Sequence, residues 1–214
     1  MSAHPIDEEC EDADEESEEM DQRLYRTHPL THTPQANHCT FFYAPTKGLH
    51  GPFSNFSRSD VDTYQFTIQG LEDIAGGHWE KPPKEYSYSS AEQAIMHRKA
   101  ILMGDYVTAK YIMQTSNPGK AKKFGRQVKG FDQDVWTDHA PLVAYAVLHA
   151  KFSQNPKMKK ALLGTRNSIL AEASPRDRIW GIGLSAAEAK RGVAWRGRNL
   201  LGRTLMRVRT NLAR

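Results

Sequence analysis

Ser90-Ala-Glu-Gln-Ala-Ile-Met-His-Arg-Lys-Ala100 is the stretch on which the fold turns. Ser89 and Glu92, or Ser90 and Gln93, stand at capping-box spacing, in which a serine oxygen takes an orphan N–H of the first helical turn. Ala91, Ala94, Ile95, Ile101 and Leu102 supply an apolar face, and Gly104 is a stop. The stretch predicts a helix. Glu92, Met96 and Lys99 follow at i, i+4 and i+7 and share one face of it. A carboxylate and an amine thus lie two turns apart, about 10 Å along the axis, where they serve either as an exposed acid and base or as two groups converging on one ligand.

Working outward, residues 105–114 read as a second helix. Asn117-Pro118 reads as cap plus first-turn proline of a short helix ending near Gly125. Residues 141–152 are the most apolar stretch and predict a central, buried helix. Asn155-Pro156 starts another, ended by Gly164, and residues 197–212 close the chain with Leu200, Leu201, Leu205, Met206 and Val208 at helical spacing. Upstream, Thr40-Phe-Phe-Tyr43, Tyr64-Gln-Phe-Thr-Ile68 and Tyr86-Ser-Tyr88 are short strand candidates. The fold class is α+β: a predominantly helical single domain with a small β element near its N-terminus.

Residues 39–214 form this domain, and residues 1–38 read as a disordered leader, acidic first and then rich in His, Thr and Pro. Residues 1–21 carry eleven Asp or Glu and no Lys or Arg, leaving fourteen acids against all 29 bases in the rest. A block of like charge self-repels and cannot bury apolar surface. The basic remainder suits an anionic partner such as nucleic acid, a nucleotide or a phosphorylated metabolite, or else is an ordinary solvated surface. No secretion signal and no membrane-length apolar run is visible, which predicts an intracellular protein, cytoplasmic or nuclear, with no membrane partner. Cys10 and Cys39 form no C-x-x-C pair, and the histidines are dispersed, so neither a disulfide framework nor a metal site is expected. Phosphate-loop, zinc-protease, nucleophile-elbow and dinucleotide motifs are absent.

Two further clusters carry candidate chemistry. In Glu172-Ala-Ser-Pro-Arg-Asp-Arg-Ile-Trp-Gly-Ile-Gly183, Asp177 and Trp180 occupy a turn-rich connection that either holds a sugar and stacks a base or merely plugs the core with its Trp. In Trp195-Arg-Gly-Arg-Asn-Leu-Leu-Gly202, Asn199 is placed to bond a sugar hydroxyl or base edge, and the arginines to meet phosphates.

Taken in order, these segments resemble the YbiA-like, or NADAR, family over residues 41–212. The likeness rests on Phe53-Ser-Asn-Phe56, the helix of residues 91–100, Gly125-Arg-Gln-Val-Lys-Gly-Phe131 with Trp136, Lys151-Phe152, Leu170-Ala-Glu-Ala-Ser-Pro-Arg-Asp177, Trp180-Gly-Ile-Gly183 and Asn199-Leu-Leu-Gly202. The resemblance implies N-glycosidase activity, either removal of ADP-ribose from guanine bases or cleavage of a ribosylamino-pyrimidine phosphate of the riboflavin pathway. The acidic leader and an insertion-like loop at 76–84 depart from compact bacterial members. Breaking a ribosyl C1–N bond passes through an oxocarbenium-like state that needs a carboxylate near C1 and an acid for the leaving nitrogen. Glu92 and Asp177 are the candidates. Lys99 either grips phosphate and hydroxyls or attacks C1 of the opened ribose as a Schiff-base nucleophile, the favoured role. Phe56, Trp136 and Trp180 are candidates for stacking on a base, and Asn55, Arg98 and Asn199 for bonding the substrate's polar groups. The expected partner is an ADP-ribosylated nucleic acid or nucleotide, met by a monomer without metal or other cofactor. A non-catalytic reader of ADP-ribose is the rival reading.

Overall fold

The computed structural model of the chain describes residues 34–43, 50–57, 66–68 and 86–214. Most of the leader and the 76–84 loop lie outside these. The described elements run β1 (Cys39–Phe42), β2 (Phe66–Ile68), β3 (Tyr86–Tyr88), α1 (Ala91–Leu102), α2 (Tyr106–Met113), α3 (Pro118–Gly125), α4 (Gln133–Ser153), α5 (Pro156–Gly164), β4 (Ile169–Glu172), α6 (Ala186–Lys190) and α7 (Leu200–Leu212), with 3-10 turns at Ala36–His38 and Gly51–Phe53. The α+β, mainly helical reading holds.

Side-chain caps fix the helix starts. Ser90 Oγ accepts from the Gln93 N–H at 3.2 Å, Asp105 from Thr108 at 3.0 Å and Asn117 from Lys120 at 3.1 Å. Each cap contributes about 1 kcal/mol. Gln93 does not close the box onto Ser90. Its Oε1 takes the Ser89 N–H and hydroxyl, and its Nε2 donates to the Ile112 and Thr115 carbonyls, tying α1 to the end of α2.

Three expectations need correction. The central helix begins at Gln133, two turns before residue 141, because Asp132 Oδ1 accepts from both Asp134 and Val135. Pro141 therefore sits inside α4, at a cost of about 3 kcal/mol that the burial of Val143, Val147, Leu148 and Phe152 offsets. The β structure is not confined to the N-terminus: β1 pairs in parallel with β4, Cys39 opposite Ile169 and Phe42 opposite Glu172, while β2 and β3 pair antiparallel. Helix α6 was not foreseen, although Ser185 and Glu188 form a complete capping box.

The principal core gathers Phe53, Ile95, Leu148, Phe152, Leu170 and Leu205, with α4 packed between α1 and α7. A second core of small residues, among them Ala100, Ala109 and Ala121, lets α1, α2 and α3 approach closely. Gly125 belongs to that approach, since a β-carbon there would collide with Met96 Sδ. Leu170 and Ala171 bury opposite faces of β4, so period-two alternation returns Glu172 to the side of Leu170 at the strand's end. No helix among the described residues is long and apolar enough to cross a membrane.

Candidate active site

Three segments meet where β4 ends and α1 begins, and they enclose an open cleft of about 740 Å³. The first is residues 51–57. Phe53 is a fully buried plug, and the buried Lys151 ammonium donates to the Pro52 and Ser54 carbonyls at 2.7 and 3.2 Å. The Glu92 N–H, an orphan donor of the first turn of α1, donates to the Asn55 carbonyl at 2.9 Å. Asn55 and Phe56 are thereby held at the cleft, and Asn55 Oδ1 is buried there without a hydrogen-bond partner.

The second segment is the turn after β4. Asp177 Oδ1 accepts from the Ile179 and Trp180 N–H groups at 2.9 and 2.8 Å, which fixes the loop that carries Trp180. Residues 178–181 accept four successive N–H groups from 198–201. Gly197 permits that contact, because a β-carbon there would collide with the Gly181 carbonyl oxygen. The third segment is α3, whose Lys122 and Arg126 share one helix flank and line the cleft; Lys122 Nζ stands 5.2 Å from the centre of the Phe56 ring.

Three carboxyl groups face this cleft: Glu92, Glu172 and Asp177. Burial first, then the Asp177 charge, push Glu92 up to about 7 against the opposing pull of Lys122 and Arg126. Burial, Asp177 and Glu92 push Glu172 up to about 8, with Lys122 again opposing. Glu172 Oε2 is buried and has no hydrogen-bond partner. Two carboxyls thus keep their protons close to neutral pH beside a third whose oxygen accepts two backbone N–H groups, a pair of candidate general acids next to a fixed carboxyl.

Of the expected site residues, Asn55, Phe56, Glu92, Asp177 and Trp180 line the cleft together. Four others stand elsewhere. Lys99 is absent from the lining: its Nζ donates to the Gly125 carbonyl at 3.0 Å and lies 3.9 Å from the Phe131 ring centre and 5.7 Å from a ring of Trp136. Burial lowers its pKa. Trp136 therefore partners Lys99 rather than the cleft. Arg98 is buried on another face of α1, 5.6 Å from the Tyr86 ring. Asn199 is wholly buried, and its amide is spent on the backbone of β4: Nδ2 donates to the Leu170 carbonyl at 2.8 Å and Oδ1 accepts from the Glu172 N–H at 3.1 Å. It holds the strand that presents Glu172 and does not line the cleft.

Sequence reasoning passed over Glu172, Lys122, Arg126 and the deep anchor Lys151. The available signals were an apolar Ile169-Leu-Ala run ending on a carboxylate, and an i, i+4 pair of cations on a capped helix.

The NADAR domain family matches residues 41–213. The N-glycosidase R617 of Acanthamoeba polyphaga mimivirus is 45% identical over 163 residues, which are 75% of this chain and 92% of that protein. The protein irg-1 of Caenorhabditis elegans is 39% identical over 139 residues, 62% of this chain and 65% of that one. The NMR structure of the E. coli protein YbiA shares the fold, with a TM-score of 0.61 at 23% identity over 86% of this chain and 89% of that one.

Proposed function

The chain belongs to the NADAR domain family, and on that premise we propose that it is an N-glycoside hydrolase removing ADP-ribose from ADP-ribosylated guanine in nucleic acid or nucleotides. The observation that carries the reading is the set of three carboxyls in the cleft, two held protonated near neutral pH and one, Asp177, bound to backbone N–H groups. Glu92 gives its proton to the leaving nitrogen as the C1–N bond breaks and the bonding pair departs with the base. Asp177 stabilises the positive charge that develops at C1 and takes a proton from the attacking water. Glu172, with an open carboxyl oxygen, and Asn55, with an open amide oxygen, bond the ribose hydroxyls.

Lys122, Arg126, Arg176 and Arg178 surround these acids and match the charge of a diphosphate. Phe56 and Trp180 offer faces for a base. The cleft volume suits a nucleotide-sized ligand. Lys99 takes no nucleophilic part in this reading, because its ammonium is bound to the Gly125 carbonyl and faces two aromatic side chains.

Incubation with guanine-ADP-ribosylated DNA, with ADP-ribosylated guanosine monophosphate and with the ribosylamino-pyrimidine phosphate, following each released base by mass spectrometry, tests the proposal. Release of unmodified guanine or its nucleotide is expected. Turnover of the pyrimidine phosphate alone would replace this substrate with the smaller one, and binding of ADP-ribose without turnover would make the protein a reader.

A further inference from the structure

Between Tyr106 and Phe131 the chain carries six cations, Lys110, Lys120, Lys122, Lys123, Arg126 and Lys129, and no acid. The acid that precedes this stretch, Asp105, is turned inward to the Thr108 and Lys129 N–H groups. Helix α3 concentrates the charge. Its buried side is Pro118, Ala121 and Gly125, and at 100° per residue the other positions fall in sequence around the outward surface. Lys122 and Arg126 form the flank at the cleft, Lys123 lies on the crest, and Lys120 and Phe124 form the far flank. There Phe124 stacks on Tyr111 of α2, ring centres 5.8 Å apart and planes 25° from parallel. Tyr111 remains 51% exposed. An aromatic pair left half in water, at the end of a row of cations that starts inside the cleft, has the two elements of a single-strand site: charge along the backbone and a face for an unpaired base.

We propose that the outer surface of α3, from Arg126 across Lys123 and Lys120 to the Tyr111–Phe124 pair, is a track for single-stranded polynucleotide leading away from the cleft. Phosphates lie on the three cations, and an unpaired base stacks on Tyr111. The helix is about 10–12 Å across, so the track spans only a few nucleotides beside the one in the cleft. That the strand delivers a modified guanine into the cleft rests on the function proposed above; the track itself does not.

The test is fluorescence anisotropy of the full-length chain with a labelled, unmodified thymidine oligonucleotide, run beside turnover of ADP-ribosylated guanosine monophosphate. Single strands lose about 0.7 in log–log salt slope per phosphate contact, so three contacts predict a slope near −2, and the double variant K120Q/K123Q flattens it by about 1.4. Y111A weakens oligonucleotide binding by about tenfold. These side chains are exposed, and each variant keeps wild-type turnover of the mononucleotide. Oligonucleotide affinity indifferent to all these substitutions overturns the track, as does equal affinity for duplex. Crosslinking of Lys120 or Lys123 to the acidic residues 7–21, with no oligonucleotide bound, overturns it in favour of an intramolecular occupant. Failure of turnover on every substrate, with the binding pattern intact, leaves the track standing and removes the glycohydrolase reading alone.

Discussion

Glu92 stands near the start of α1 and Lys99 near its end, and the same force acts on both. Burial raises the carboxyl of Glu92 to about 7 and lowers the amine of Lys99, so each group is pushed toward its neutral form. Their surroundings then divide them. Glu92 looks into an open cleft with two other carboxyls, whereas Lys99 has a carbonyl within bonding distance and an aromatic face beneath it. Perturbation alone does not mark a catalytic group. The perturbed group must also face space that a substrate can enter.

Substitution at the two ends is the sharpest test of that contrast. Glu92→Gln should lower kcat at least ~100-fold, the lower end of what acid–base catalysis contributes, while folding normally. Lys99→Arg, which keeps the charge but cannot form an imine, should retain most of the activity. The contrast breaks if Lys99→Arg is as inactive as Glu92→Gln and borohydride traps an adduct on Lys99 during turnover. That pair of results would restore the covalent mechanism.

Lys151 extends the comparison to an amine buried more deeply than Lys99, pushed down to about 7 by burial alone. Lys151→Met strips the donor from two carbonyls of the segment that holds Asn55 and Phe56. A buried acceptor left without its partner costs about 1–3 kcal/mol. Each kcal/mol lowers Tm by about 2–4 °C in a chain of this size, so a drop of several degrees is expected. KM should rise more than kcat falls, because the proposed function gives that segment a binding role and no part in bond breaking. A pure Tm loss with unchanged KM would reduce Lys151 to a core staple.

The pH dependence of stability follows from the same groups, and the signs oppose. Glu92 and Glu172 bind a proton more tightly folded than unfolded, so their contribution is favourable at low pH and is lost as pH rises from about 4.5 through about 7 and 8. Lys151 does the reverse: the unfolded chain holds its proton longer, so folding gains as pH rises from about 7 toward 10.5. Glu172→Gln should therefore flatten the fall in Tm between pH 4.5 and 8 and leave the rise above 8 in place. An unchanged profile would mean that Glu172 does not titrate in this window. The smallest effect belongs to the far end of α1, where Phe131→Ala removes a partly exposed cation–π contact worth about 0.5–1 kcal/mol and leaves kcat untouched. A large loss of kcat would connect that end to the chemistry.

What was legible in the sequence was local. Ser90, Asp105 and Asn117 announce helix starts because a cap acts over three residues, and Glu92, Asp177 and Trp180 stand in short blocks that could be read one at a time. What escaped was the product of distant pairing. Glu172 reaches the cleft only because β4 finds β1 and Asn199 clamps its backbone. The backbone bonds of Asn199 were equally hidden, because an amide's donors and acceptors look the same whether a sugar or the main chain takes them. The start of α4 was misplaced because a proline suits a first turn, and Pro141 sits mid-helix only through the tertiary burial around it.

The β1–β4 pairing also sets a schedule. Cys39 meets Ile169 across about 130 residues, so a ribosome adding ~5–20 residues per second exposes β1 roughly 6–26 s before its partner strand exists. Phe41 and Phe42 must wait through that interval, held by whatever transient cover the emerging helices and chaperones supply. Glu172 arrives with the strand that ends the wait, and Asn199, which secures it, arrives later still. The nascent chain therefore secures its acid set only once synthesis has passed Asn199.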